Sequence, residues 1–495
     1  MISLPLTHRA APASGGARLQ ACRVDSHVDV VLLLAFLAAP AFAATCEDLK
    51  SLNLSNATIT SAQSITATES LPAHCQVEAT LRPSPDSDIK IAVWLPLANW
   101  NGKFQAVGNG GWSGSINNNA LAAALRRGYA TSSTDTGHQG SSASFALGHP
   151  EKLIDYAWRS EHEMTSKSKS IIEAFYGKGP KLSYWNGCSA GGKQAMKEAQ
   201  TFPDDFDGII AGSPGVDWVA RATLSMWVAQ AVDKNPLLPS KFPIIHEAAL
   251  AACDAADGLK DGVIEDPTRC SFDPKTIECT GADSPTCLTS SQVETARKIY
   301  AGPGAGIAPG LERGSEPGWG TFAGPRPFAI GFDYFKYIVF ENPNWNFRTL
   351  NFDSDIVRAR KLDADRINAT DPDLSAFRKH GGKLIHYHGW SDPQIPPASS
   401  VAYYQSVLHK MGKSIPDFYR LFMVPGMAHC GGGDGVNTFD MVDALEQWVE
   451  HAKAPAQIPA SGKDRTRPLC PYPQLARYKG TGNPEDASNF TCTTL

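Results

Sequence analysis

The chain of 495 residues has no run of basic residues with interleaved aromatic side chains, and its charge is nearly balanced, with 45 Lys and Arg against 50 Asp and Glu. Proteins that hold nucleic acid need a concentrated positive face, so nucleic acid is not an expected partner. The sequence has no CxxC pair, which argues against a zinc ribbon or a redox-active dithiol. No internal repeat is detectable.

The apolar run VVLLLAFLAAPAFA, which begins at Val30, is too short to span a bilayer comfortably. It ends in the small-x-small pattern Ala41-Phe42-Ala43 that signal peptidases cleave, and arginines precede it. We therefore predict a signal peptide over residues 1–44 and a secreted or periplasmic protein with no membrane attachment after cleavage. An uncleaved membrane anchor is the alternative.

Cysteine usage agrees with export, because ten of the 11 cysteines remain once Cys22 is removed with the leader. An even number suits five disulfides in an oxidising compartment. Two expected pairs are close in sequence, Cys253–Cys270 and Cys279–Cys287. Two others would hold the ends of the mature chain, Cys46–Cys75 and Cys470–Cys492.

Short apolar segments alternate with helical periodicity from Ile89 onward, and the pattern returns late in the chain. This alternation predicts an α/β fold with a largely parallel sheet covered by helices. Expected strands are IKIAVWLP, KFQAVGNGG, YATSSTD, LSYWNGCS, GIIAGSP, KLIHYHG and FYRLFMVPG, and expected helices cover 118–127, 155–176 and 436–451.

Between about His246 and His380 the alternation fails, and the segment is rich in Gly, Pro, Asp and aromatic residues. We predict an inserted lid domain at 246–380, between the two α/β segments 45–245 and 381–495, over the strand ends where ligands bind in open α/β sheets. The lid aromatics either line a substrate pocket or form the core of the lid: Trp319, Phe322, Phe328, Phe332, Tyr334, Phe335, Tyr337, Trp345 and Phe347.

The pentapeptide GCSAG fits the G-x-S-x-G nucleophile elbow, in which a strand turns sharply into a helix and exposes a serine. Small residues are needed on both sides of such a turn, and Gly187 and Gly191 meet that need. A plausible strand precedes the motif and a plausible helix follows it. We therefore predict that Ser189 is a nucleophile.

A serine hydroxyl needs a base, usually a histidine oriented by a carboxylate. In this fold the partners follow in the order Ser, acid, His. Asp392 in GWSDPQIPP and His429 in PGMAHC each follow an expected strand and are the predicted acid and base. His386 and His388 are weaker candidates because they lie inside a strand.

Cys188 precedes the serine and Cys430 follows the histidine. A disulfide holds its two Cα atoms ~4.4–6.8 Å apart, so this pair would bring nucleophile and base together. Cys188 as a catalytic thiol is disfavoured in an exported chain. For the oxyanion, the expected donors are the amide of Ala190 and that of Gly110 or Gly111 in the loop VGNGGWSG.

The segment CDAADGLKDGVIEDPTRC brings three acidic residues into one short loop. Oxygen-only ligands favour Ca²⁺ over zinc, and close carboxylates repel one another without a cation. We expect a structural calcium ion bound by three carboxylates and two backbone carbonyls, those of Asp254, Asp257, Asp261, Leu259 and Val263. The alternative is a solvated acidic turn.

Five motifs of the chain together resemble those of the tannase and feruloyl esterase family, which includes terephthalate monoester hydrolases. They are GNGGW, GCSAGG, GWSDPQIPP, PGMAHC and CDAADGLKDGVIEDP. The resemblance covers nearly all of the mature chain. It implies an α/β-hydrolase fold, a calcium-bearing lid, and a triad of Ser189, Asp392 and His429 bridged by Cys188 and Cys430. It also implies small esters of aromatic acids as substrates.

Phenolic esters are preferred over terephthalate monoesters, because no arginine stands out as the partner of a second substrate carboxylate; the candidates are Arg313, Arg326 and Arg348. A peptidase with the same triad and a non-catalytic calcium-dependent binding protein are the other hypotheses. The complete set of triad residues argues against the binding protein.

Overall fold

The computed structural model describes residues 44–304 and 306–494. Residues 1–43 of the predicted signal peptide lie outside the described residues. The strands are β1 Ala57–Ile65, β2 His74–Leu81, β3 Ile89–Pro96, β4 Lys103–Val107, β5 Ala130–Thr134, β6 Leu182–Cys188, β7 Gly208–Gly212, β8 Lys383–Gly389, β9 Tyr419–Val424, β10 Thr438–Phe439, β11 Ile458–Ser461, β12 Thr466–Leu469, β13 Leu475–Tyr478 and β14 Phe490–Thr493.

Helices occupy most of the remaining regular structure. The α-helices are α1 Asn118–Arg126, α2 Pro150–Ile154, α3 Ser160–Tyr176, α4 Ala190–Thr201, α5 Trp218–Lys234, α6 Phe242–Cys253, α7 Ser290–Ala301, α8 Ala329–Asp333, α9 Ser354–Asp363, α10 Ser375–His380, α11 Pro397–Met411 and α12 Met441–His451. Two π-helical turns cover Asp155–Arg159 and Tyr334–Val339. Short 3₁₀ turns cover Glu47–Ser51, Ala143–Ala146, Pro239–Lys241, Asp254–Asp257, Pro267–Arg269, Pro274–Ile277, Glu316–Thr321, Phe347–Thr349, Ile415–Asp417 and Ala487–Asn489.

Nine strands form one sheet in the order β1-β2-β3-β5-β4-β6-β7-β8-β9. The pairs from β5 to β9 are parallel, and the pairs that join β1, β2, β3 and β5 are antiparallel. The predicted fold class is therefore confirmed, and each predicted strand is present. Two smaller sheets, β10-β11-β12 and β13-β14, follow near the C-terminus.

Apolar side chains on both faces of the sheet pack under helices. Residues of α3, α4 and α11 pack on one face, where Met164, Met196 and Tyr403 are buried. Residues of α1 and α12 cover the other face with Leu445 and Trp448. Because the sheet is covered on both sides, central strands such as β5 and β7 are buried along their whole length rather than alternating between buried and exposed residues.

Two predicted helices differ from the structure. The helix expected over 155–176 is interrupted at its start by the π turn Asp155–Arg159, which continues from α2. The helix expected from Val436 begins only at Met441, because Asp440 caps it with a side chain that accepts from the amide of Asp443. Of the preceding residues, Thr438 and Phe439 form β10.

The chain between β7 and β8 is helical and irregular, and it contains the predicted lid. Position 246 falls inside α6, and side chains of α5, α6 and α7 share one hydrophobic core with Trp319 and Phe322. Within the described residues, no helix is both long enough and apolar enough to cross a bilayer.

Candidate active site

Ser189 lies at the turn between β6 and α4, with a φ of 63° and a ψ of −120°. Positive φ is strained for a residue with a side chain, and nucleophile elbows hold such strain. Glycines make room for the turn. A Cβ on Gly187 would meet the carbonyl oxygen of Gly191, and a Cβ on Gly191 would lie 3.0 Å from the Cα of Gly108. Ser189 therefore sits in a tight turn and lines a cleft.

Asp392 and His429 follow β8 and β9, so both lie at the same edge of the parallel sheet as the serine. His429 Nε2 is 2.8 Å from Ser189 Oγ, and His429 Nδ1 is 2.7 Å from Asp392 Oδ2. The structure thus brings together the three residues that the sequence predicts for nucleophile, base and acid.

The carboxylate of Asp392 is fully buried, with 0% exposure. Its Oδ1 accepts from the amides of Gln394 and Ile395, at 2.8 and 3.0 Å. Its Oδ2 accepts from His388 Nε2 at 3.1 Å as well as from His429. Burial acts to raise the pKa of Asp392, but the charge of His429 and the hydrogen bonds from His388 and His429 outweigh it and hold that pKa well below its usual value.

An ionised Asp392 can only accept hydrogen bonds, so His429 carries a proton on Nδ1. In the neutral imidazole, Nε2 then has a free lone pair directed at Ser189 Oγ. This tautomer can accept the hydroxyl proton of the serine, as a general base must.

His388 is a site residue that the sequence interpretation set aside. It lies on β8 with no exposed surface and contacts the triad acid directly. A histidine inside a buried strand resembles an ordinary core residue, so its sequence position carries no signal of this contact.

The structure bonds Cys188 to Cys430, with Cα atoms 6.1 Å apart, as the sequence predicts. The bond joins the residue before Ser189 to the residue after His429. It therefore fixes the two loops whose side chains must meet. The other four predicted pairs are also bonded: Cys46–Cys75, Cys253–Cys270, Cys279–Cys287 and Cys470–Cys492.

Two of the three predicted oxyanion donors line the same cleft, and the third, Ala190, directly follows Ser189. Ala190 is the first residue of α4, and an amide at that position has no acceptor within its helix. Gly110 and Gly111 line the cleft from the loop after β4. That loop is fastened to α4, because the amide of Gly191 donates to the carbonyl of Asn109 at 2.8 Å. Either glycine remains a candidate for the second donor.

The cleft has a volume of about 1110 Å³. Among the residues that line the cleft, Ile330 is the only one from the predicted lid, and it lies next to Trp112. None of the nine lid aromatics lines it. Trp319 and Phe322 are buried in the lid core, which agrees with the alternative in which these aromatics pack with one another.

The three candidate arginines also lie away from the lining of the cleft. Arg313 donates to the carbonyl of Phe272 at 3.1 Å, and Arg348 pairs with Asp233. Arg326 is not among the lining residues either. A cation for a second substrate carboxylate is therefore not supplied by these residues.

The acidic loop that follows α6 fits a calcium site in its donor chemistry, because its side-chain oxygens come from Asp254, Asp257 and Asp261. Burial raises the pKa of Asp257, and the negative charges of Asp261 and Asp254 raise it further. Asp254 accepts from the amides of Asp261 and Gly262, at 3.1 and 2.9 Å. Across 44–304 and 306–494, no three His, Cys, Asp or Glu side chains converge on one metal position.

Comparison with known proteins agrees with this architecture. Residues 75–493 match the family described as tannase and feruloyl esterase. An uncharacterized esterase of Xanthomonas campestris pv. campestris is 38% identical, over 92% of this chain and 92% of the relative. A protein named probable feruloyl esterase B-2 of Aspergillus terreus is 35% identical, over 84% of this chain and 86% of its own length. The crystal structure of feruloyl esterase B from Aspergillus oryzae superposes with a TM-score of 0.86 and 31% identity, covering 90% of this chain and 99% of that one.

Proposed function

The chain belongs to the tannase and feruloyl esterase family of carboxylic ester hydrolases, and from that premise we propose that it cleaves esters of phenolic acids through Ser189, His429 and Asp392. Feruloyl and galloyl esters represent the substrate class. The observation that carries the proposal is the continuous hydrogen-bonded series from Asp392 through His429 to Ser189, with steps of 2.7 and 2.8 Å, beside a cleft.

Acylation begins when Ser189 Oγ attacks the ester carbonyl carbon while His429 Nε2 accepts the hydroxyl proton. The amide of Ala190 and that of Gly110 or Gly111 donate to the oxyanion. The tetrahedral intermediate collapses as His429 gives its proton to the departing alcohol oxygen. Asp392 stays ionised and stabilises the imidazolium that forms between these two steps.

Deacylation repeats the same chemistry with water. His429 Nε2 accepts a proton from a water molecule that attacks the acyl carbonyl carbon. Collapse of the second tetrahedral intermediate breaks the bond to Ser189 Oγ, which recovers its proton from His429. The phenolic acid leaves as the second product.

A phenolic acyl group is the better candidate than a terephthalate monoester. Relatives with 31–35% identity carry the name feruloyl esterase. Arg313, Arg326 and Arg348 are absent from the residues that line the cleft, which leaves a second substrate carboxylate without one of those cations. Terephthalate monoester hydrolysis is the alternative specificity.

A structural calcium ion and export from the cytoplasm complete the proposal. The calcium ion would be held by the carboxylates of Asp254, Asp257 and Asp261 with the carbonyls of Leu259 and Val263, far in sequence from the triad, and it would supply stability rather than chemistry. Five disulfides are consistent with a secreted or periplasmic protein.

Turnover of methyl ferulate, methyl gallate, chlorogenate and mono(2-hydroxyethyl) terephthalate tests the proposal. We expect the phenolic esters to be hydrolysed fastest and Ser189→Ala to abolish hydrolysis without changing the melting temperature. Ser170→Ala, an exposed serine on α3, is the control and should keep full activity. Turnover retained by Ser189→Ala would contradict the proposed nucleophile, and faster cleavage of the matching amides would indicate a peptidase.

A further inference from the structure

Behind Asp392, four polar side chains form a buried hydrogen-bonded series that leads away from the cleft. Tyr419 Oη is 2.8 Å from His386 Nδ1, and His386 Nε2 is 2.8 Å from Ser400 Oγ. Ser400 Oγ is 2.6 Å from His388 Nδ1, whose Nε2 reaches Asp392 Oδ2. All four side chains have 0% exposure.

The far end of this series fixes the direction of every hydrogen bond in it. Burial raises the pKa of Tyr419 well above its usual value, so the phenol keeps its proton. Within the described residues, His386 Nδ1 is the only hydrogen-bond partner recorded for the Tyr419 hydroxyl. A buried hydroxyl proton needs an acceptor, so Tyr419 donates to His386 Nδ1.

The remaining protons then follow in order. Burial, with the charge of His388, holds the pKa of His386 well below its usual value, so His386 is neutral and its single proton is on Nε2. That proton goes to Ser400 Oγ, and the Ser400 hydroxyl donates to His388 Nδ1. His388 therefore carries its proton on Nε2, where it faces Asp392 Oδ2 and the carbonyl of Ile395, both at 3.1 Å.

We propose that His388, Ser400, His386 and Tyr419 are positioning residues of the esterase site: they form a one-directional donor chain that ends on the triad acid and sets how strongly Asp392 stabilises the charged His429. The inference rests on the proposed function of Ser189, His429 and Asp392. No proton needs to move along the chain. Aligned hydrogen bonds polarise one another, so each hydroxyl upstream strengthens the final donor.

The groups that face Asp392 determine whether breaking the chain strengthens or weakens its stabilisation of the charged His429. These are His429 from the loop after β9, His388 from β8, and Arg221 from α5, which lies within electrostatic reach and is 4% exposed. A stronger His388 donor takes up more of the carboxylate charge, which leaves less to stabilise the His429 imidazolium. Breaking the chain therefore leaves Asp392 with more charge to stabilise the protonated His429.

Ser400→Ala breaks the chain without touching the triad. In the pH profile of kcat/KM with methyl ferulate, we expect the acid limb to move to higher pH by about half a unit, because the base must lose its proton before it can act. Ser406→Ala is the matched control on the same helix α11, because its hydroxyl donates to the carbonyl of Tyr403 instead of to a member of the donor chain. Its acid limb should match that of the parent enzyme.

Tyr419→Phe removes the terminal donor and is nearly isosteric. If Ser400→Ala does not fold, the acid limb of Tyr419→Phe tests the donor chain instead. We expect a smaller shift in the same direction, and no further shift when the two changes are combined, because the chain is already broken at Ser400. An acid limb that stays at the parent pH in a folded Ser400→Ala or Tyr419→Phe enzyme would overturn the donor chain and reduce it to packing. If Ser189→Ala loses turnover while the acid limbs of Ser400→Ala and Tyr419→Phe stay at the parent pH, the proposed function stands and only the donor chain is refuted.

Discussion

Cys188 and Cys430, which are 242 positions apart in the sequence, are bonded to one another, and their immediate neighbours Ser189 and His429 lie 2.8 Å apart. The covalent bond therefore links the elbow after β6 to the loop after β9. Both loops also have strained backbone at the bond, with a φ of 63° at Ser189 and 62° at Cys430. The disulfide is a constraint on catalytic geometry as well as on the unfolded chain.

Cys188→Ala combined with Cys430→Ala should lower kcat on methyl ferulate by about 10–100-fold, because small displacements of reacting groups are costly. Folded yield, measured by circular dichroism, should fall much less. The matched control is Cys279→Ala with Cys287→Ala, which removes a disulfide of sequence separation 8 outside the cleft lining. Equal kcat in the parent enzyme and the first double variant would show that the bond is not needed to align the two side chains.

His246 on α6 should make stability depend on pH. Its Nδ1 is 2.9 Å from Glu316 and its Nε2 is 3.5 Å from Asp434, in the loop that carries His429. Burial acts to lower the pKa of His246, but the hydrogen bonds and charges of Asp434 and Glu316 outweigh it and raise that pKa to about 9. In the unfolded protein the pKa of His246 is ~6.5, so the protonated side chain contributes its full stabilisation of the fold below that pH. This stabilisation is lost as the pH rises through the raised pKa of the folded protein.

The melting temperature of the parent protein should therefore fall between about pH 7 and 9.5, and that of His246→Gln should change less over the same range. His409→Gln, an exposed histidine on α11, is the control and should follow the parent curve. Parallel curves for the parent protein and His246→Gln would contradict the assigned ion pairs.

Chelation should lower the melting temperature of the protein, because an ion bound only by the folded state stabilises it by mass action. Added Ca²⁺ should restore the original value better than Mg²⁺, which prefers a smaller octahedral site. Asp257→Asn should reduce the response to the chelator, and kcat measured well below the melting temperature should stay the same. An unchanged melting temperature after chelation would argue that the acidic loop holds no ion.

The strands of the parallel sheet were predictable because they are compact apolar runs bounded by turn residues. β1 was not, because ATITSAQSI has small and polar side chains and only two isoleucines. Its partner β2 pairs with it through a register shift near Ile59, which no local pattern indicates. The late start of α12 depends on the Asp440 cap, whereas the π turn before α3 lies inside a segment whose periodicity predicts an ordinary helix.

Residues at strand ends were also predictable from motif and chain order, as for Ser189, Asp392 and His429. The contact between His388 and Asp392 was not, because it needs the bend of the chain after β8 to bring two residues four positions apart face to face. The lining of the cleft by Ile330 instead of lid aromatics likewise depends on tertiary packing.

The most direct test of the proposed mechanism is to react the protein with a fluorophosphonate and to locate the adduct by peptide mass spectrometry. If Ser189 is the nucleophile activated by His429, one adduct forms, on Ser189, in step with the loss of methyl ferulate hydrolysis, and it forms much more slowly in His429→Gln. Full inhibition with the adduct on another residue, or hydrolysis that persists after Ser189 is fully modified, would contradict it.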